Sequence, residues 1–205
     1  MSLDAALTLF YERHGFGDTL GARPKTVPVY TGCLLVPLPN IEARNRYLKY
    51  HDLHHLITGY SVGRIGEGEM SAWELGTGSM RSSPILGFMN LIALSTGWVL
   101  ARDKMWTAYV HGLRSCNLYE QQMRSAIDDG DWASIDELRD DVVDCRPERC
   151  LNRFRRGLFR FYIIVSLMIH AMIAIPAMIA RTVSNLKQGK SLAETLRPKR
   201  RADLY

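Results

Sequence analysis

Residues 46–78 read RYLKYHDLHHLITGYSVGRIGEGEMSAWELGTG. Three of the six histidines in the chain fall within five positions of this stretch, at His51, His54 and His55. The run over 47–58 is predicted to be a helix closed by Gly59 as a left-handed cap. On that helix His51 and His55 stand at i and i+4, about 40° apart at roughly 100° per residue, so both can reach one ion. Asp52 sits about 100° from His51, on the adjoining flank. There it can ligate a metal directly or hold a ligand imidazole through its other nitrogen. Gly63 and Gly66 mark a short turn. A second helix over about 65–75 then folds back antiparallel and brings Glu67 over the same spot. Two facing helices with inward donors are the way helical bundles build metal sites. Two imidazoles with one or two carboxylates suit Zn(II), which we favour, and also Fe(II) or Mn(II), because donor type alone does not select among them.

Outward from this stretch the helical period persists. The N-terminal Leu3, Leu7, Leu9, Phe10 and Tyr11 line one face of a short helix expected to end near Gly15 and Gly17. Residues 82–101 carry no full charge. Pro84 suits a first turn, and Ile85, Phe88, Met89, Ile92, Leu94 and Val99 suit a helix packed among other helices or lining an apolar cavity. Residues 128–148 are strongly acidic, with Asp131-Trp132-Ala133-Ser134 offering an N-cap and Ile135, Leu138, Val142 and Val143 at helical spacing; a solvated helix is expected there. Only 26–36 alternates as a strand would. At 205 residues and 47% apolar content, one domain with a sizeable core follows. The fold class expected is all-α: a single helical domain over 1–145 with a basic, apolar, membrane-associating tail over 146–205.

The tail opens with Arg146, Arg149, Arg153, Arg155, Arg156 and Arg160, and then runs for twenty residues, 161–180, without a full charge. That length matches a hydrocarbon core of about 30 Å. Basic residues on both flanks give no orientation, and fit a segment lying in or dipping into an anionic leaflet as well as one that crosses. A buried core helix is the plain alternative. The net charge of +5 is compatible with an anionic partner, but the arginines lack the aromatic-interleaved polar surface of a strand-binding groove, so no nucleic acid is expected. Cys33, Cys116, Cys145 and Cys150 contain no C-x-x-C pair. Reduced thiols and a cytosol-facing protein are expected. Asp4 and Glu12 and the lack of an apolar run leave no recognisable export signal at the N-terminus.

The motif H-D-x-x-H, eleven residues, then E, formed by His51, Asp52, His55 and Glu67, resembles the signature of the ubiquinone (coenzyme Q) biosynthesis protein Coq-four family. The likeness continues through Gly59 and Gly66 to Trp73, Glu74 and Gly78, and covers about residues 25–140. It implies that His51, Asp52, His55 and Glu67 are the metal ligands. It implies a metal-dependent decarboxylation, oxidative or not, of a polyprenylated 4-hydroxybenzoate-type ring. Besides Glu67, the candidates for the chemistry are His54, Glu74 and Glu69. Implied partners are the prenylated substrate, membrane lipid and other quinone biosynthesis enzymes, on the cytoplasmic face of a bacterial inner membrane; a homodimer would be usual for such a protein. Two departures stand out. Ser71 occupies a position where the family has a basic residue, and the arginine-flanked tail lies outside the family core. Two other readings remain open: a non-catalytic lipid-binding scaffold that organises quinone enzymes, and a metal-dependent hydrolase or hydroxylase of another lipid.

Overall fold

Gly59 takes φ 75°, a left-handed conformation open to glycine without strain, and its N–H bonds to the carbonyl of His55. This ends a helix and turns the chain back toward it. In the computed structural model that describes residues 1–14, 25–31, 34–146, 153–189 and 191, the order is α1 (Leu3–His14), β1 (Thr26–Thr31), β2 (Leu34–Pro39), α2 (Glu42–Thr58), α3 (Arg64–Thr77), α4 (Ser79–Ser82), α5 (Pro84–Leu100), α6 (Arg102–Arg114), α7 (Gln121–Asp129), α8 (Ile135–Val142) and α9 (Arg153–Lys187). The fold is all-α with one apolar C-terminal helix. The alternating stretch after residue 25 forms an antiparallel hairpin, Thr26 opposite Pro39 and Thr31 opposite Leu34.

α3 is the central element. Met70, Ala72 and Trp73 are fully enclosed, and α3 packs on both α5 and α6. Its glycines explain how. A Cβ on Gly68 would run into Gly97 of α5, and one on Gly112 of α6 into the carbonyl of Trp73. A helix-interior glycine costs about 1 kcal/mol relative to alanine, offset here by close backbone packing at both crossings. Ser71 is also enclosed, which accounts for its small side chain: a lysine or arginine there would place a charge in the core.

α8 begins as its sequence suggests. Ser134 accepts from the N–H of Glu137, and Ile135, Leu138 and Val142 are buried while the acidic residues face water. From its outer side, Arg139 donates to the carbonyls of Leu56 and Ile57, satisfying the last turn of α2. In α5, Ile92 and Leu94 are buried, but Ile85, Phe88 and Val99 face outward; the helix has a second, exposed apolar face that a fully packed core helix would lack. α9 is likewise no core helix. Only 17% of its apolar window is buried, and the buried residues of the helix are Phe159, Tyr162, Ile163 and Ser166.

Two cysteines correct the expectation of reduced thiols. Cys116 and Cys145 form a disulfide with Cα atoms 6.6 Å apart, spanning 29 residues. No local spacing announces it, because the ends of α6 and α8 meet through tertiary packing, with the N–H of Cys116 bonded to the carbonyl of Val142. The argument from thiols to a cytosol-facing protein goes with it, since disulfides persist in oxidising compartments. Cys33 and Cys150 lie outside the described residues.

Candidate metal centre

α2 and α3 run antiparallel, so that ascending residues of one meet descending residues of the other: His51 with Glu74, and His55 with Glu67. The ligand atoms of His51, His55 and Glu67 lie within 4.8 Å of one another, a group that could hold a metal ion. His55 Nε2 is 3.3 Å from His51 Nε2. Glu67 oxygens lie 3.6 Å from His51 Nε2 and 3.8 Å from His55 Nε2. Donors about 2.0–2.1 Å from a tetrahedral ion stand roughly 3.3–3.4 Å apart, so the spacing is close to what a single ion requires.

The hydrogen bonds behind the two imidazoles fix which nitrogen is available. His55 Nδ1 is 2.8 Å from the carbonyl of Tyr60, which can only accept, so Nδ1 carries the proton and Nε2 presents its lone pair. His51 Nδ1 is 2.9 Å from Glu74 Oε1, with the same result. A backbone carbonyl or carboxylate behind each histidine is the usual outer shell of a metal-bound imidazole. Two neutral imidazoles would set their Nε2 lone pairs against each other, so the 3.3 Å contact calls for a positive centre, whether a proton on His51 or a metal ion.

Glu74 organises this outer shell. It is fully enclosed, and its Oε1 receives His51 Nδ1, His54 Nδ1 at 2.8 Å and the Tyr119 hydroxyl at 2.6 Å. Its Oε2 is buried without a hydrogen-bond partner. Burial pushes the Glu74 carboxyl upward, but the adjacent His51 and His54 outweigh it and hold it well below the ordinary range. For His51 burial disfavours the charge, yet Glu74 and Glu67 outweigh it and push the imidazole well above its usual value. Burial pushes His55 down to about 4 and lowers His54. Tyr119 is raised well above its usual range, first by burial and then by Glu74.

The other predicted residues fall as follows. Asp52 is buried one flank away and hydrogen-bonds Tyr11 of α1. It is not one of the converging ligands, and neither imidazole is oriented by it. Burial pushes its carboxyl up to about 6. His54 is enclosed with both nitrogens engaged: Nδ1 to Glu74, and Nε2 accepting the N–H of Leu118 at 3.1 Å. Its place is to hold Glu74, with neither nitrogen turned toward an incoming molecule. Glu69 is part-exposed, with its carboxyl raised by burial and Lys104 beside it. Tyr119, the Leu118 N–H, the Tyr60 carbonyl and the contact of Tyr11 with Asp52 escaped the sequence reading. Tyr119, Leu118 and Tyr11 are distant along the chain, and the groups at Leu118 and Tyr60 belong to the main chain. No protein-family model, no curated protein and no solved structure matches the chain.

Proposed function

We propose that this chain is a membrane-associated, metal-dependent decarboxylase of ubiquinone biosynthesis, acting on a polyprenylated 4-hydroxybenzoate-type ring. The convergence of His51, His55 and Glu67, each imidazole backed by its own acceptor, is the observation that carries it. The resemblance of the H-D-x-x-H…E motif supplies the substrate class. The donor set, two nitrogens and a carboxylate, suits zinc, with Fe(II) or Mn(II) also compatible. When bound, such an ion supplies Lewis acidity toward ring oxygens or a carboxylate.

The chain's own part is positional. Glu74 and the Tyr60 carbonyl keep the His51 and His55 rings in register. His55 is almost wholly enclosed, while the side chains of His51 and Glu67 are 24% and 30% exposed, so approach to the centre is from the His51 and Glu67 side. Asp52, through Tyr11, ties α1 to the helix that carries both histidines. Losing CO2 breaks the bond from carboxyl to ring, and the electron pair left on the ring carbon takes up a proton. A prenylated substrate is insoluble in water, which gives membrane association a physical reason.

The test is Glu67→Ala in cells lacking the native protein, with fold and membrane attachment confirmed. The carboxylated prenyl-ring intermediate should accumulate by mass spectrometry. Unchanged quinone output from the variant, where loss of the whole chain blocks it, would overturn the enzyme in favour of a scaffold.

A further inference from the structure

α9 has two unlike faces. On one, Phe159, Tyr162, Ile163 and Ser166 are buried, and the Ser166 hydroxyl donates to the carbonyl of Leu91 in α5. His170 Nδ1 lies 2.8 Å from Ser95 Oγ, and because that hydroxyl already donates to Ile92, His170 is the donor. α9 is therefore fastened to α5 at least through residue 170. On the other face Phe161, Ile164, Met168, Met172, Ile175 and Ile179 are each 58–75% exposed. Their spacing of three or four residues makes one continuous apolar stripe along the helix.

Length decides how such a helix meets a bilayer. Between the fastening at His170 and the charge at Arg181 lie ten residues, a rise of about 15 Å, half the roughly 30 Å hydrocarbon core. Crossing over residues 161–180 would draw α5 into the hydrocarbon, and with it the α3 that packs on α5 and carries Glu67 and Glu69. Both consequences disappear if the helix lies flat. Arg153, Arg156 and Arg160 are exposed at the N-terminal end of the stripe and to one side of its line, where their stems can reach lipid phosphates. Basic residues stand at both ends of α9, so a second copy, parallel or antiparallel, would set like charges together. Between 161 and 180 the stripe is bordered by Val165, Ile169, Ala171 and Met178, so its polar border is confined to the arginines at its N-terminal end, where a protein interface carries a polar rim all round.

We propose that α9 docks in the plane of an anionic lipid surface, its Phe161–Ile179 stripe in the acyl boundary and its arginine flank on the phosphates, without crossing the bilayer. The assignment rests on the membrane-associated reading above and names the surface it uses.

The experiment uses the full-length protein and two kinds of vesicle, phosphatidylcholine alone and a two-to-one mixture with phosphatidylglycerol. The protein should float with the mixed vesicles, more weakly at high salt, and be released by alkaline carbonate. Met172→Glu with Ile175→Glu should lower partition at least about tenfold, and Arg153, Arg156 and Arg160 replaced by Gln should erase the preference for phosphatidylglycerol. Circular dichroism and metal content verify the folded state of the variants, and flotation of the native chain needs no variant. Retention through carbonate with a protease-protected C-terminus would overturn the proposal in favour of a span. So would failure to float, or a lipid-free dimer that the glutamate pair dissociates. No substrate enters the assay: a chain that floats but leaves quinone intermediates unaltered keeps this surface and loses the enzyme, and the converse result does the opposite.

Discussion

The backbone N–H of Leu118 donates to Nε2 of His54 at 3.1 Å, across 64 residues of chain. This single bond makes Nδ1 the protonated nitrogen of His54 and aims it at Glu74. Glu74 in turn sets the tautomer of His51. A candidate metal ligand on α2 is thus oriented by a loop beyond α6, through two intermediates with no solvent exposure.

Glu74→Gln keeps the shape but removes the charge that holds the donors from His51, His54 and Tyr119, and it adds an amide whose protons have no acceptor in that shell. Outer-shell changes of this kind cost about 10–100-fold in metal affinity. A competition titration against a chromophoric chelator should show such a loss with the helix content unchanged. An affinity within twofold of the native chain would mean that Glu74 serves the fold alone.

Opening the disulfide should reach the same centre. Cys116 begins the segment that carries Leu118 and Tyr119, and the bridge closes 29 residues, for which chain entropy gives about 3–4 kcal/mol. Cys116→Ser with Cys145→Ser should lower the denaturation midpoint accordingly and weaken metal binding as well. Native affinity in the folded double variant would show that the Asn117 side chain, which donates to Thr77 at 2.6 Å, holds the segment unaided.

The α3–α6 crossing gives a prediction of opposite sign to helix propensity. Gly112→Ala should gain up to about 1 kcal/mol of propensity but forces a methyl against the Trp73 carbonyl. Overpacking of about 1–3 kcal/mol or more should win, read as a lower urea midpoint. A more stable variant would place the two helices farther apart than described.

What was legible beforehand was local. The i, i+4 histidines, the Gly59 cap and the glycine turn before Glu67 are short-range signals, and they suffice to bring His51, His55 and Glu67 together. The Pro84 start of α5 and a cap for α8 within residues 131–134 are of the same kind. What was not legible depends on chain closure. Tyr119 reaches Glu74 across 45 residues, and Cys145 reaches Cys116 across the length of α7 and α8. Apolarity of residues 161–180 was plain, but which side of α9 is bare depends on Leu91 and Ser95 of α5. Asp52 shows the limit of spacing: it stands next to a ligand, yet its neighbour is Tyr11 of the N-terminal helix.

His111 supplies a pH dependence separate from the metal centre. Its Nδ1 is 3.0 Å from the Tyr60 hydroxyl, and the ring is part-buried beside Trp73. Burial lowers its pKa; Asp144 opposes this, Arg114 adds to it, and the net direction is down. A depressed folded-state pKa means the unfolded chain takes up the proton first as pH falls. Stability is therefore complete above the ordinary histidine range near 6.5 and declines as pH falls through it toward the folded value. Thermal midpoints from pH 7.5 down to 5, measured with chelator present so that ligand protonation does not enter through metal loss, should fall less steeply for His111→Gln than for the native chain. The glutamine can still bond the Tyr60 hydroxyl but binds no proton in this range. Parallel curves for the two proteins would show that the acid sensitivity arises elsewhere and that His111 titrates alike folded and unfolded.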